Sequence, residues 1–116
     1  MSPAAPLRRT KDVCLAIVTA PERKTARRLA GLALEARLAA CVSLLPGVES
    51  HYWWQGKREK GGEILLLFKT SRRQARALQD LILASHPYDT AEFVILPVES
   101  ASARYLAWWR DSLRGD

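Results

Sequence analysis

The chain has 116 residues, which fits one domain, and no apolar run approaches the roughly 20 residues that a bilayer-spanning helix needs. Its formal net charge is +6, and 48% of its residues are hydrophobic, as in an ordinary globular protein. We expect residues 1–11 to be a disordered tail without a secretory signal, and residues 12–116 to form one domain located in the cytoplasm. No membrane partner is expected.

The first half of the domain reads as strand, helix, strand and strand. Residues 13–19 form a short apolar strand, and Thr19-Ala20-Pro21-Glu22 then predicts a capped helix that runs to about residue 38. Residues 41–45 are a second strand, which Pro46-Gly47 interrupts and which resumes over 48–54. A polar loop over 55–62 precedes a third strand over 63–70, and the second and third strands make a long hairpin.

A second capping pattern, Ser71-Arg72-Arg73-Gln74, predicts another helix, which Pro87 ends near Ser85. Residues 91–98 form a fourth strand, and a last helix covers about 103–113. The helices should bury stripes of small and apolar side chains at helical spacing. These stripes are Ala26, Leu29, Ala30, Ala33 and Leu34 in the first helix, Ala75, Leu78 and Ile82 in the second, and Leu106, Trp109 and Leu113 in the third.

This order predicts an α+β protein with a ferredoxin-like βαββαβ sandwich, a long hairpin and an extra C-terminal helix. Right-handed crossovers place both main helices on one face of the sheet and leave the other face bare. The second and third strands are nevertheless apolar on both faces, and a soluble monomer rarely exposes so large an apolar surface. We therefore expect self-association.

Three consecutive aromatic residues, Tyr52-Trp53-Trp54, stand at the end of the second strand. On a strand, Tyr52 and Trp54 point to one face and Trp53 to the other. One of these faces therefore meets something outside the first core, such as a helix layer, a ligand, a nucleic-acid base or another subunit.

Two residue types could hold a metal ion. His86 precedes a proline, which fixes its direction; it is either a metal ligand or a helix-terminal histidine bonded to the last carbonyls of its helix. Cys14 and Cys41 lack the spacing of a zinc knuckle or a redox pair, and each is either a buried thiol or, more plausibly for Cys41, a site residue.

Other functional classes find less support in the sequence. No phosphate-binding loop, zinc-protease motif or nucleophile elbow is present, so we expect no enzymatic activity. The basic residues could attract anionic partners, but they are spread over predicted helix surfaces and a loop. The third strand also lacks the aromatic spacing of an RNA-binding module, so no nucleic-acid partner is expected.

Seven short motifs, in this order and at these separations, resemble the CutA divalent-ion tolerance family over about residues 12–112. The motifs are Thr19-Ala20-Pro21, Leu38-Ala39-Ala40-Cys41-Val42, Pro46-Gly47-Val48, Tyr52-Trp53-Trp54-Gln55-Gly56-Lys57, Lys69-Thr70, His86-Pro87-Tyr88 and Leu96-Pro97-Val98. The resemblance implies a ferredoxin-like homotrimer whose sheets pack together and whose hairpins reach neighbouring subunits. It also implies binding of copper or other divalent cations and a role in metal tolerance. An alternative is a small-ligand-sensing or scaffold trimer, similar in architecture to nitrogen-signalling trimers, in which metal binding is incidental.

The resemblance also assigns candidate residues. Cys41 and His86 match family positions and are the predicted metal ligands, whereas Val18 and Ser85 replace donors found in a copper-binding member. The aromatic run is interpreted chiefly as an assembly feature, carried by Trp53 and Trp54. An inter-subunit cleft is predicted around Tyr52, Trp54, Glu63, Lys69 and Tyr88, next to Cys41 and His86.

Overall fold

The computed structural model describes residues 6–115. Within these residues the chain forms six strands and three helices. In chain order they are β1 (Leu7–Arg9), β2 (Val13–Ala20), α1 (Arg23–Glu35), β3 (Cys41–Trp54), β4 (Lys57–Ser71), α2 (Arg72–Ser85), β5 (Val94–Pro97), β6 (Ser100–Ser102) and α3 (Ala103–Ser112).

Four of these strands form an antiparallel sheet in the order β3-β4-β2-β5, and β1 pairs separately with β6. The helices α1 and α2 pack together on the main sheet. This arrangement confirms the predicted α+β, ferredoxin-like sandwich with a long hairpin and an additional C-terminal helix. No helix within residues 6–115 is long and apolar enough to cross a membrane.

The main core lies between the sheet and the helices α1 and α2. Side chains of β2 and β4 that point towards the helices are fully buried, because strand alternation places every second residue under the helices. They include Ala16, Val18, Leu66 and Phe68. The predicted helix stripes are confirmed except at Leu34, which is exposed, and at Ala75, which is only half-buried while Gln74 takes the buried position in the first turn of α2. At 100° per residue, Leu34 lies about 90° from the centre of the buried α1 stripe, so it points past the sheet.

The two predicted helix caps have different outcomes. Ser71 caps α2 as predicted, because its side chain accepts a hydrogen bond from the Gln74 N–H at 3.3 Å. The prediction that Thr19 caps α1 is wrong, because Thr19 still belongs to β2 and Glu22 occupies the cap position. Thr25 instead donates a hydrogen bond from its hydroxyl to Glu22 Oε1 at 3.2 Å, which fixes the first turn of α1.

The hairpin is longer than predicted. The expected polar loop over 55–62 is wrong, because β4 already begins at Lys57 and only Gln55 and Gly56 separate it from β3. Both turn residues have positive φ angles, 49° and 78°, as a two-residue hairpin turn requires. The break predicted at Pro46-Gly47 is a β-bulge between Leu45 and Val48.

The N-terminal prediction also needs correction. Leu7–Arg9 forms β1 against β6, so the predicted disordered tail is wrong for these residues. Thr10 extends the attachment, since its N–H donates to the Glu99 carbonyl at 2.9 Å and its hydroxyl donates to the Val98 carbonyl. The sequence of this proline- and arginine-rich segment gives no local signal for β1, because the strand forms only by pairing with residues some ninety positions away. Residues 1–5 lie outside the described residues.

A smaller core forms under α3. Leu106 and Trp109 are buried against Val13, and Leu113 packs on this cluster. The Trp109 indole N–H donates to the Thr70 carbonyl at 2.9 Å, which satisfies the polar end of a buried ring. The face of the main sheet opposite α1 and α2, which we call the open face, keeps several apolar side chains partly accessible, among them Leu45, Val94 and Leu96.

Candidate functional site

A groove of about 860 Å³ lies between the outer half of the hairpin and the turn that follows α2. The hairpin supplies Tyr52, Trp54 and Glu63, and the turn supplies Tyr88. Tyr52 pairs with Glu59 and Trp54 with Lys57, so strand alternation places both rings on the hairpin face that also carries Glu63. The remaining lining residues are Thr19, Ser50, His51, Trp53, Pro87, Asp89, Thr90 and Glu92.

A tyrosine and a carboxylate connect the two walls of this groove. The Tyr88 hydroxyl donates a hydrogen bond to Glu63 Oε2 at 3.1 Å. Burial, this hydrogen bond and the negative charge of Glu63 raise the pKa of Tyr88 to about 12. The hydroxyl therefore stays protonated at neutral pH and holds Glu63 in place as a donor.

His86 fixes the turn to the end of β2. Its Nε2 lies 2.7 Å from the Thr19 carbonyl oxygen, and its Nδ1 accepts a hydrogen bond from the Tyr88 N–H at 3.1 Å. Since Nδ1 accepts and a carbonyl can only accept, the bonding pattern assigns the proton to Nε2. Both ring nitrogens of the buried imidazole are thus used by the backbone, and neither offers a lone pair to a metal ion in this conformation.

Cys41 and Lys69 lie elsewhere, near the opposite end of the open face. They are directly paired across β3 and β4, and Lys69 Nζ lies 3.5 Å from Cys41 Sγ and 3.4 Å from Ser43 Oγ. Thr19, which accepts from His86, pairs with Leu65, four residues from Lys69 along β4. Four residues of strand span about 13 Å, so one chain does not bring Cys41 and His86 together.

The predicted cleft therefore divides into two parts. Tyr52, Trp54, Glu63 and Tyr88 line the groove together, with His86 behind Tyr88 at a ring-centroid distance of 4.8 Å. Cys41 and Lys69 form a separate polar cluster on the open face. The role of Trp53 and Trp54 in assembly stays a prediction; Trp53 is 71% exposed in the single chain and is free to contact a neighbour.

Asp89 and Glu92 are acidic groove residues that the sequence interpretation missed. Burial, and then the negative charge of Glu63, raise the pKa of the Glu92 carboxyl. The position of Asp89 immediately after the His86-Pro87-Tyr88 motif was an available signal, whereas Glu92 reaches the groove only because the chain turns before β5. No group of three or more histidine, cysteine, aspartate or glutamate side chains within residues 6–115 is arranged to hold a metal ion.

Comparison with known proteins decides the family. A sequence profile of the CutA1 divalent ion tolerance protein family matches residues 14–112, which is most of the chain. The chain belongs to this family. The divalent-cation tolerance protein CutA of Pectobacterium atrosepticum is 45% identical over 103 residues, which cover 89% of this chain and 94% of that protein.

Two further relatives extend the comparison. Human protein CutA is 44% identical over 99 residues, covering 85% of this chain but 55% of the human protein, so the chain spans about half of that relative. The structure of CutA from Synechococcus elongatus complexed with a Bis-Tris molecule is 37% identical, with a TM-score of 0.86, covering 93% of this chain and all of that one (100%). The family and the fold thus agree with the resemblance found in the sequence.

Proposed function

We propose that this chain acts in the response to divalent cations as a homotrimer, by binding ligands rather than by catalysing a reaction. The observation that carries this proposal is the family match over residues 14–112, within a family described by divalent ion tolerance.

The open face supports the oligomeric part of the proposal. Leu45, Val94 and Leu96 lie on it with 41–45% of their surface accessible, and Leu65 and Leu67 of β4 lie between them only half-buried. Contiguous apolar surface of this kind marks association sites in soluble proteins. Sedimentation equilibrium should give about 39 kDa, three times the chain mass of 13.0 kDa. A mass of one chain at micromolar concentration would contradict the trimer.

Cys41 is the better of the two predicted metal ligands. Its thiol is partly accessible on the open face, and a thiolate is a donor that copper prefers. One cysteine is not a complete site, so copper binding at Cys41 needs donors from neighbouring copies. His86 can contribute only after it gives up its hydrogen bond from the Tyr88 N–H.

Copper titration of three variants tests these assignments. We expect Cys41→Ser to weaken copper binding at least about tenfold, because it removes the soft donor. His86→Ala should change it little. Cys14→Ala is the matched control, because Cys14 is fully buried and burial raises the pKa of its thiol, which keeps it protonated. Equal copper affinity in wild type and Cys41→Ser would remove Cys41 from the site.

A second candidate function is the sensing of a small organic ligand. The groove favours it, because its volume of about 860 Å³ falls in the range of small-molecule sites and far exceeds the space a single ion needs. The Synechococcus elongatus relative complexed with Bis-Tris, a polyhydroxylated tertiary amine, supports small-molecule binding in the family. Thermal unfolding with millimolar organic ligands tests this candidate: a bound ligand raises the melting temperature of the wild type. Trp54→Ala should reduce that rise.

A further inference from the structure

The groove has a charge opposite to that of the whole chain. The protein carries a net charge of +6, yet the groove is lined by the carboxylates of Glu63, Asp89 and Glu92. Among the described residues that line it, none is a lysine or an arginine. In a partly enclosed space, neighbouring carboxylates raise each other's electrostatic energy, and the charge of Glu63 acts on Glu92 in this way. A cation placed between them would relieve the repulsion.

Aromatic rings surround these carboxylates. Tyr52 and Trp54 line the hairpin wall and Tyr88 lines the opposite wall. Tyr52 is near enough to Tyr88 to contribute to the raised pKa of that residue. Faces of tryptophan and tyrosine rings attract cations, most strongly where water is displaced, and they also offer apolar surface to a carbon skeleton. The combination of rings and carboxylates therefore suits a cation that carries apolar groups.

A bare metal ion fits this arrangement poorly. Divalent ions need several oxygen, nitrogen or sulfur donors within a tight shell, and no such group of three is present within residues 6–115. Tyr88 also occupies one oxygen of Glu63 with its hydroxyl proton. An ammonium group needs only one or two carboxylate oxygens and a ring face, both of which the groove provides.

We propose that this groove binds a small organic ammonium ion, with its nitrogen between Glu63 and Glu92 and its carbon groups against Tyr52 and Trp54. This inference rests on the second candidate function, small-ligand binding, and specifies the chemical class of the ligand. It is independent of copper binding at Cys41, which lies outside the groove.

The test compares three probes by isothermal titration calorimetry on the full chain. Choline carries a quaternary ammonium, ethanolamine carries a primary ammonium, and 3,3-dimethylbutan-1-ol is the uncharged analogue of choline with the same shape. We expect choline and ethanolamine to bind, and the uncharged analogue to bind about tenfold more weakly than choline or not at all.

Two pairs of variants test whether choline binds in the groove. Glu63→Gln should weaken choline binding about fivefold to tenfold, whereas Glu35→Gln, on exposed α1 surface, should leave it unchanged. Trp54→Ala should weaken it similarly, and Trp108→Ala is its control because Trp54 and Trp108 are 43% and 45% exposed. Sedimentation and circular dichroism verify that each variant keeps the assembly state and secondary structure of the wild type.

Several results would overturn the assignment of the groove to an ammonium ion. Equal affinity for choline and its uncharged analogue, or unchanged choline binding by Glu63→Gln, would overturn the ammonium assignment. If Trp54→Ala then weakened binding of choline and of the uncharged analogue equally, small-ligand binding by the groove would stand without the charge preference. Failure of all three probes to bind at millimolar concentration would also overturn the ammonium proposal, and copper titration would remain a separate test of the trimer's metal function.

Discussion

The two faces of the main sheet are made by the same strands, yet they have different surroundings. Under α1 and α2, Leu66 and Phe68 of β4 are fully buried, whereas on the open face Leu45 and Leu96 remain 41% and 43% exposed. Both faces are apolar, so composition alone does not distinguish them. The difference shows that the covered face stabilises the single chain, while the open face has apolar surface left for another molecule.

The largest expected effect concerns the covered face. Leu66→Ala should lower the free energy of unfolding by about 2–5 kcal/mol, because it removes buried methyl groups and leaves a cavity. Urea denaturation measures this loss. Leu34→Ala is the control, since Leu34 is 44% exposed and its truncation should have little effect. Equal losses in the two variants would mean that the covered face is not the stabilising one.

A charged substitution on the open face should weaken association between chains while leaving the fold of each chain intact. Leu96→Asp should weaken association in the proposed trimer by about 2 kcal/mol per chain, because it replaces apolar surface with a charge that an interface would bury. Sedimentation velocity should show dissociation while circular dichroism stays unchanged. Leu83→Asp, at a similarly exposed position on α2, should leave association intact. Unchanged association of the Leu96→Asp protein would contradict the inference that chains associate through the open face.

A smaller effect is expected at the start of α2, which covers the buried face. Ser71→Ala should destabilise the chain by about 1 kcal/mol, because the Gln74 N–H loses its side-chain acceptor. Ser102 precedes α3 but, within the described residues, makes no capping hydrogen bond through its side chain. Ser102→Ala should therefore be nearly neutral, and thermal melts of both variants measure the difference. A larger loss in Ser102→Ala would contradict this assignment.

The smallest effect is expected outside both faces. Arg110 donates two hydrogen bonds of 2.8 Å to Asp12. These hydrogen bonds are the main reason why the pKa of the Asp12 carboxyl is lowered. Because both side chains are about half exposed, Asp12→Asn should cost no more than about 1 kcal/mol. Asp80→Asn, which removes the single 3.4 Å contact to Arg76, should cost less.

The pH dependence of the Asp12 contribution follows from its lowered pKa. The contribution is fully present above the unfolded-state pKa of about 3.9, and it disappears as the pH falls through the lower folded-state value. Urea denaturation between pH 7 and pH 3 should therefore show wild type and Asp12→Asn converging at the acidic end. A stability difference between wild type and Asp12→Asn that widens towards low pH would contradict the lowered pKa of Asp12.

The sequence predicted the elements that have local signals. The main strands, the end of α2 before Pro87 and the cap at Ser71 all follow from periodicity, proline chemistry and side-chain capping. It did not predict β1 or β6, because their pairing joins segments about ninety residues apart. The eight-residue loop expected at 55–62 was wrong because its polar composition concealed a two-residue turn followed by strand.

The candidate site was predicted in part, for a similar reason. Tyr52, Trp54, Glu63 and Tyr88 do meet, but Cys41 and Lys69 lie at another place on the open face. The family motifs identify residues without giving their distances. The local sequence left two interpretations open for His86, a metal ligand or a histidine bonded to the last carbonyls of its own helix, whereas its hydrogen bond goes to the Thr19 carbonyl of β2. That contact is set by packing between β2 and the end of α2.

The bulge in β3 has a consequence for the groove. Between the pairs Leu45–Leu65 and Val48–Glu63, β3 advances three residues while β4 advances two. This one-residue offset shifts the phase of side-chain alternation, so odd-numbered residues of β3 occupy the open face before the bulge and even-numbered ones after it. If the pairing continued regularly from Leu45–Leu65 without the bulge, Gly47 would stand opposite Glu63, and alternation would place Trp53 on the open face and turn Tyr52 and Trp54 away. One extra backbone residue thus selects which aromatic rings line the groove.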